Sequence, residues 1–357
     1  VGARPVIIDC DPGHDDALAL LLAVGDPRLD VRGVTTVAGN QTLDKTTTNA
    51  LRILGLAGVA DVPVAAGHDR PLSGELTVAE DIHGASGLDG PDLDVPVGAV
   101  AGIHAVELMR RLIAGTAEPV TLIATGPLTN VASLLRDHPE VRPGIDRIVF
   151  MGGSTERGNT TPYGEFNIVT DPEAADIVLR SGLPVTMIGL NVTHQALATP
   201  EVIAEFRAME TRLGDVCAEL MVFFAGAYRR VFGFDHPPVH DPIAVAQVID
   251  PAMVRTVTVG VAVELTGTYT RGATVVDLHG RAGDDRTGDD RTRNGRTGDD
   301  RAGDGRTGDG RTGNDRTGND RTGDGNAGNV PRADVAVGLD VDAFWRLLMS
   351  AVRRLSG

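Results

Sequence analysis

The chain predicts an α/β fold built on an open, mainly parallel central sheet flanked by helices. Two observations carry that expectation. Short apolar runs alternate with longer helical patterns along most of the 357 residues, the signature of βαβ units. The first apolar run ends in Pro12-Gly13 and an acidic helix start, which resembles the carboxyl end of an open α/β sheet, where ligands sit.

The elements follow in order. Apolar runs at 6–9 (VIID), 31–39, 120–125, 147–153 and 185–190 read as strands. Between them, residues 17–24, 46–55, 103–113, 128–135 and 172–181 read as helices with apolar faces. Thr129-Asn130 and Asp171-Pro172-Glu173 supply helix starts, with Pro172 at a first helical position. Residues 200–232 read as one further long helical stretch, and strands are expected near 273–278 and 334–337.

Residues 281–325 differ in kind. A pentapeptide, Arg-Thr-Gly-Asp-Asp and variants, repeats with Arg every fifth residue and contains no Leu, Ile, Val, Phe or Met. It has nothing with which to build a core and is expected to be disordered. Solenoid and calcium-binding β-roll repeats both need an inward aliphatic residue. The expected organisation is therefore one domain, 1–278 with 334–357, carrying a low-complexity insert at 279–333.

Composition narrows the function classes. A net charge of −16 and a pI near 4.9 argue against a nucleic-acid partner, which needs clustered Lys and Arg. Cys10 and Cys217 are the only cysteines and have neither metal-ligand nor disulfide-framework spacing. They are expected to be buried thiols in a reducing cytoplasm. With no basic-then-apolar leader and no apolar run long enough to span a bilayer, a soluble intracellular protein without a membrane partner is expected.

Asp9, Asp11, Asp15 and Asp16 fall within eight positions at the first strand–helix junction. Carboxylates converging there repel one another unless a cation or bound protons hold them. Asp9 and Asp11 share one side of an extended strand, whereas Asp15 and Asp16 are about 100° apart around a helix, so one could reach a metal and the other a substrate hydroxyl. Helix-dipole complementation accounts for Asp15 or Asp16 but leaves Asp11 unexplained. Asn40, Thr125, Gly152-Gly153 and Asn191 recur at predicted strand ends, and together they line one edge of the sheet. Asp241, before an apolar helical run, is either an N-cap or a further carboxylate of the site. Oxygen donors without a Cys/His cluster point to Ca²⁺ or Mg²⁺.

The segments DCDPGHDDA (9–17), TVAGN (36–40), ATGPLTN (124–130), MGGS (151–154), GN (158–159), EFNIVTDPEAA (165–175), NVTH (191–194) and HDP (240–242) together resemble the nucleoside hydrolase family, in its inosine-uridine preferring branch. The resemblance implies that family's Rossmann-like fold and calcium-dependent hydrolysis of the N-glycosidic bond of ribonucleosides to ribose and free base, in nucleobase salvage or catabolism. It implies one Ca²⁺ per subunit held by Asp11, Asp16, Asp241 and the main-chain carbonyl of Thr125, with Asp11 also the general base on water whose acidity the ion raises. Asp15 and Asn167 are implied at the ribose 2′- and 3′-hydroxyls, Asn159 and Glu165 at the 5′-hydroxyl, and Asn40 at the attacking water. His240 is the implied acid for the leaving base, and His83 is implied to sit near that base. Homodimers or homotetramers are the family's common assemblies.

Five of the twelve aromatic residues lie between Phe223 and Phe234. Phe224 and Tyr228, one helical turn apart, either flank a planar base or pack in a helix core. Two rival functions are a phosphatase using Asp9-Cys10-Asp11 as a D-x-D motif, and a metal-bound nucleoside-binding protein without turnover. The first lacks the usual Gly-Thr continuation and has only Lys45 as a lysine.

Overall fold

The computed structural model describes residues 2–93, 98–279 and 330–357. Among the described residues nine strands form one sheet: β1 (Arg4–Cys10), β2 (Leu29–Thr36), β3 (Val64–Ala66), β4 (Val120–Ala124), β5 (Ile145–Met151), β6 (Val185–Ile188), β7 (Val254–Val263), β8 (Thr274–Val276) and β9 (Arg332–Leu339). Their order is β3-β2-β1-β4-β5-β6-β9-β7-β8. Pairing is parallel from β3 through β9, and β7 runs antiparallel to both β9 and β8. The mainly parallel α/β sheet expected from the alternation is what the chain forms.

Pleating divides the core into two layers. Val6, Ile8 and Cys10 of β1 join helices His14–Gly25, Leu43–Leu56, Arg212–Phe232, Pro242–Ile249 and Val341–Leu355 on one face. Ile7 points to the other face, among helices Ala105–Gly115, Thr129–Asp137 and Pro172–Leu179. Alternate residues of a strand face opposite ways, so a strand buried on both sides reads as a continuous apolar run.

Two expectations need correction. Residues 200–232 form two helices, Pro200–Arg207 and Arg212–Phe232. Glu210 takes a positive φ of 53° between them, and Thr211 Oγ1 accepts the Gly214 N–H to cap the second helix. β3 and β7 were not expected. β3 has only three residues, but β7 (VRTVTVGVAV) carries a legible alternating stretch. The repeat at 281–325, with the disorder expected of it, lies outside the described residues; the strands expected on either side of it are β8 and β9.

The strand order reverses between β1 and β4, which leave in opposite directions across the sheet. A crevice opens beyond the carboxyl ends of strands at such a switch point. Asp9 pairs in register with Ala124 there, so the residues just after β1 and β4 are neighbours. Helix Val341–Leu355 packs on helix His14–Gly25, the element that carries Asp15 and Asp16. Phe344 is its fully buried anchor. Phe344→Ala is expected to lower stability by roughly 3–5 kcal/mol, read as a lower urea midpoint at unchanged slope.

Candidate active site

Asp11 lies one residue beyond β1 and is fully buried. Its Oδ2 accepts the Asn40 backbone N–H at 2.7 Å, and the Asn40 amide donates to the Asp11 carbonyl at 3.2 Å. Its Oδ1 has no hydrogen-bond partner among the described residues. A buried carboxylate oxygen without a partner is costly unless something absent from the protein chain completes it. Two glycines let the backbone approach this group: a Cβ on Gly39 would overlap Asp11 Oδ2, and one on Gly126 would come within 2.6 Å of Oδ1.

Asp15, Asp16 and Asp241 each offer an oxygen within 4.8 Å of the others, and all are buried. Asp16 is held from several sides: its Oδ2 accepts Gly13 N–H at 3.0 Å and the Asn40 amide at 3.0 Å, and its Oδ1 accepts Thr125 Oγ1–H at 2.7 Å. Asp15 Oδ2 accepts the His240 N–H at 3.2 Å. Asp241 sits at the N-cap position of Pro242–Ile249 but makes no capping bond with its side chain, so its carboxylate is free for the cluster. Burial and then the Asp16 charge push Asp11 well above the usual carboxylate range. Burial, followed by Asp16, raises Asp15 to about 7, and burial followed by Asp15 pushes Asp241 well up. Four crowded carboxylates in a dry site require shared protons or a cation. The donors are all hard oxygens, and one of them is unpartnered, so this set fits a divalent cation of the Ca²⁺ or Mg²⁺ type.

Above the cluster opens a cavity of about 600 Å³. Asp15, Asn40, His83, Thr125, Asn159, Glu165, Asn167, Phe224, Tyr228, His240 and Asp241 line it. Every residue assigned from the sequence to the ion, the substrate or the leaving base is thus in this lining, except Asp11 and Asp16, which are fully buried beneath it; Asn191, singled out at a strand end, borders a neighbouring cavity instead, its amide donating to the Ala336 carbonyl at 2.9 Å. Asn167 donates from its amide to the carbonyls of Thr125 at 2.7 Å and Met151 at 3.2 Å. Glu165 caps helix Phe166–Thr170, accepting N–H groups from Gly153, Asn167 and Ile168. Burial raises it to about 7. Asn159 Oδ1 accepts the Phe166 N–H at 2.9 Å, which leaves its amide protons for the cavity.

His240 is fixed at both ring nitrogens, by Thr193 Oγ1 at Nδ1 and the Tyr228 hydroxyl at Nε2, each 2.7 Å away. Burial, and then His194, push its pKa well below the ordinary value, so the ring is neutral. His83 is likewise held neutral by burial. His14, buried and stacked on Phe223 and Phe224, is pushed down to about 4 by burial. Phe224 itself is only 1 % exposed. It backs His14 and His83 and meets Tyr228 edge-on at 4.7 Å, so the two accounts of this aromatic run meet in one residue that packs in the core and borders the cavity.

The four aspartates of the first strand–helix junction do not all meet at the site. Asp9 points away, its Oδ1 accepting Thr35 Oγ1–H at 2.6 Å and the Asn130 amide at 2.8 Å. It is absent from the cavity wall, which removes the D-x-D arrangement a phosphatase would need. Asp15 and Asp16 do not diverge: both lie in the first helical turn, where each can offer an oxygen to the same point. The sequence reading missed the roles of Thr193 and His14. Both stand in quoted motifs, NVTH and DCDPGHDDA, but their partners come from distant segments.

The fold and this site define an α/β protein with a hard-oxygen cluster beneath a cavity at the switch point of its sheet. Residues 6–346 match the family described as inosine-uridine preferring nucleoside hydrolase. The chain belongs to that family. It is 52% identical over 276 residues to the pyrimidine-specific ribonucleoside hydrolase RihA of Photobacterium profundum, covering 77% of this chain and 89% of the relative. It is 49% identical over 278 residues to the protein of that name from Escherichia coli O139:H28, covering 78% and 89%. Among solved structures, a purine-preferring ribonucleoside hydrolase from Gardnerella vaginalis superposes with a TM-score of 0.79 at 31% identity, covering 99% of each chain.

Gly39→Ala is expected to displace Asp11 and weaken divalent-cation binding by roughly 10–100-fold, measured by calorimetric titration with the circular dichroism spectrum unchanged. In chelated protein, Asp9 and Asp15, both raised to about 7, hold protons that the unfolded chain has released. Stability is then fully present at low pH and declines as pH rises through 7. Thermal melts should show that decline, and added Ca²⁺ should raise the melting temperature more at pH 8 than at pH 5, because it competes with protons for the same oxygens.

Proposed function

We propose that this chain is a calcium-dependent ribonucleoside hydrolase that prefers pyrimidine nucleosides, with Asp11 as general base. The observation that carries the reading is the buried Asp11 Oδ1, unpartnered among the described residues and beside the cluster of Asp15, Asp16 and Asp241. The names of the relatives near 50% identity support the pyrimidine preference.

Asp11, Asp16, Asp241 and the Thr125 carbonyl would hold the ion, which supplies Lewis acidity toward water and an anchor for vicinal hydroxyls. Asn40 pins Asp11 Oδ2 and so directs Oδ1 to take the proton of the attacking water. Asp15 receives one ribose hydroxyl. Asn167, its amide protons spent on two carbonyls, presents its oxygen to another. The Asn159 amide donates to the 5′-hydroxyl, beside Glu165. Positive charge that builds on the ribose as the glycosidic bond lengthens is met by these fixed oxygens, which need no reorganisation.

A neutral His240 is not a standing acid for the leaving base. Held by Thr193 Oγ1 at Nδ1 and the Tyr228 hydroxyl at Nε2, it orients that hydroxyl, which lines the cavity, as a hydrogen-bonding group for the departing base.

Release of reducing sugar from uridine, cytidine, inosine, adenosine and guanosine, before and after chelation, tests the proposal. Uridine and cytidine should be hydrolysed fastest, with activity lost on chelation and restored by Ca²⁺. Nucleoside binding without ribose release would favour the binding-only alternative. Asp11→Ala should cut kcat by roughly 10²–10⁴-fold or more with the fold retained, and retained turnover would sink the general-base role.

A further inference from the structure

The rings of His14 and His83 stack with centroids 5.4 Å apart, and their nitrogens meet in an arrangement that the reaction outlined above does not use. His14 Nε2 lies 2.8 Å from the Asp89 carbonyl. A carbonyl only accepts, so this nitrogen carries the His14 proton and Nδ1 of the neutral ring carries a lone pair. His83 Nδ1 sits 3.2 Å from the His14 backbone N–H, a donor, and 3.2 Å from His14 Nδ1, an acceptor. It therefore gains a hydrogen bond in either state. Unprotonated, it accepts from the backbone; protonated, it donates to His14.

The other His83 nitrogen, Nε2, has no protein partner among the described residues, and the residue lines the cavity. When Nδ1 is bare, Nε2 bears the proton and is a donor. When Nδ1 is protonated, Nε2 is an acceptor. The two forms differ only in which ring nitrogen bears the proton, and the charge of neither ring changes. Close approach makes this possible: a Cβ on Gly13 would lie 2.5 Å from His83 Nδ1.

We propose that His14 is a positioning residue that lets His83 offer the base either a donor or an acceptor, so that one cavity takes both uracil and cytosine nucleosides. The inference rests on the pyrimidine reading above and extends it. Uracil presents N3–H and an O4 acceptor where cytosine presents an N3 acceptor and an N4 amino donor. A fixed donor would satisfy one and leave the other facing an unmatched polar group, which is the strongest available form of discrimination between such close analogues. A ring with two supported tautomers avoids that penalty.

The test combines spectroscopy with kinetics. In ¹⁵N-histidine-labelled, calcium-loaded protein, His83 is expected to adopt different tautomers with saturating uracil and with saturating cytosine, each added with ribose. The same tautomer with both bases would overturn the proposal. For kinetics, His14→Gln keeps a donor for the Asp89 carbonyl but removes the acceptor beside His83. His14→Asn places an amide oxygen near the lost Nδ1. The ratio of kcat/KM for cytidine to that for uridine should change by roughly tenfold or more in His14→Gln and by less than about threefold in His14→Asn. Equal ratios in wild type and His14→Gln would overturn the proposal, and the labelled wild type decides if either variant fails to fold. Wild-type protein that releases ribose from neither nucleoside would overturn the pyrimidine reading itself, a result distinct from hydrolysis of both with a fixed tautomer.

Discussion

Mutual repulsion among buried carboxylates is the constraint around which the rest of this structure is arranged. Asp15, Asp16 and Asp241 are removed from water at one point with Asp11 buried beside them, and burial alone drives each away from the charged form. The surroundings supply dipoles instead of lysines or arginines. Backbone N–H groups of Gly13, Asn40 and His240, the Asn40 amide and the Thr125 hydroxyl all donate to the cluster. What these neutral donors leave unbalanced calls for shared protons or a cation. Their fixed geometry keeps the oxygens together before it arrives, which is the preorganisation that electrostatic catalysis requires.

The sheet topology makes such crowding possible. At the switch point between β1 and β4, three connections converge that are distant in sequence: the turn into helix His14–Gly25, the segment after β2 with Asn40, and the segment after β4 with Thr125. Asp241 arrives from the start of a helix packed on the same face. Buried strands on both layers hold these ends rigidly. Gly39 and Gly126 allow backbone to close on Asp11 where any side chain would intrude. Of the neutral groups of the wall, His83 and Tyr228 lie on neighbouring helices and His240 lies in the segment just before helix Pro242–Ile249. The cavity therefore has an acidic floor and an uncharged aromatic and imidazole side, suited to a polar sugar below and a planar base beside it.

Much of this was legible in the chain. Continuous apolar runs such as VIID and VTLIAT mark strands buried on both faces, because helices cover the whole parallel region. Asp11, Asn40, Thr125, Asn167 and Asp241 were recognisable because the residues at strand and helix ends, where chemistry gathers, stand in motifs whose order matches a known family. The break at Glu210 within 200–232 was not legible, since local composition stays helical through it. The role of Asp9 was not either. Strand alternation sets which side it faces, but only the positions of Thr35 and Asn130 make it a structural carboxylate rather than a ligand.

The sequence by itself determined the α/β class, the place of the site at the first strand end, and the hard-oxygen character of the donors, because periodicity and residue chemistry are local properties. The tertiary structure decided which carboxylates share one point, which histidine nitrogens are occupied, and which oxygen of Asp11 is left free. Those outcomes depend on distances between segments such as His14 and His83 or Thr193 and His240. Such distances are set by long-range packing and desolvation, which no local pattern encodes.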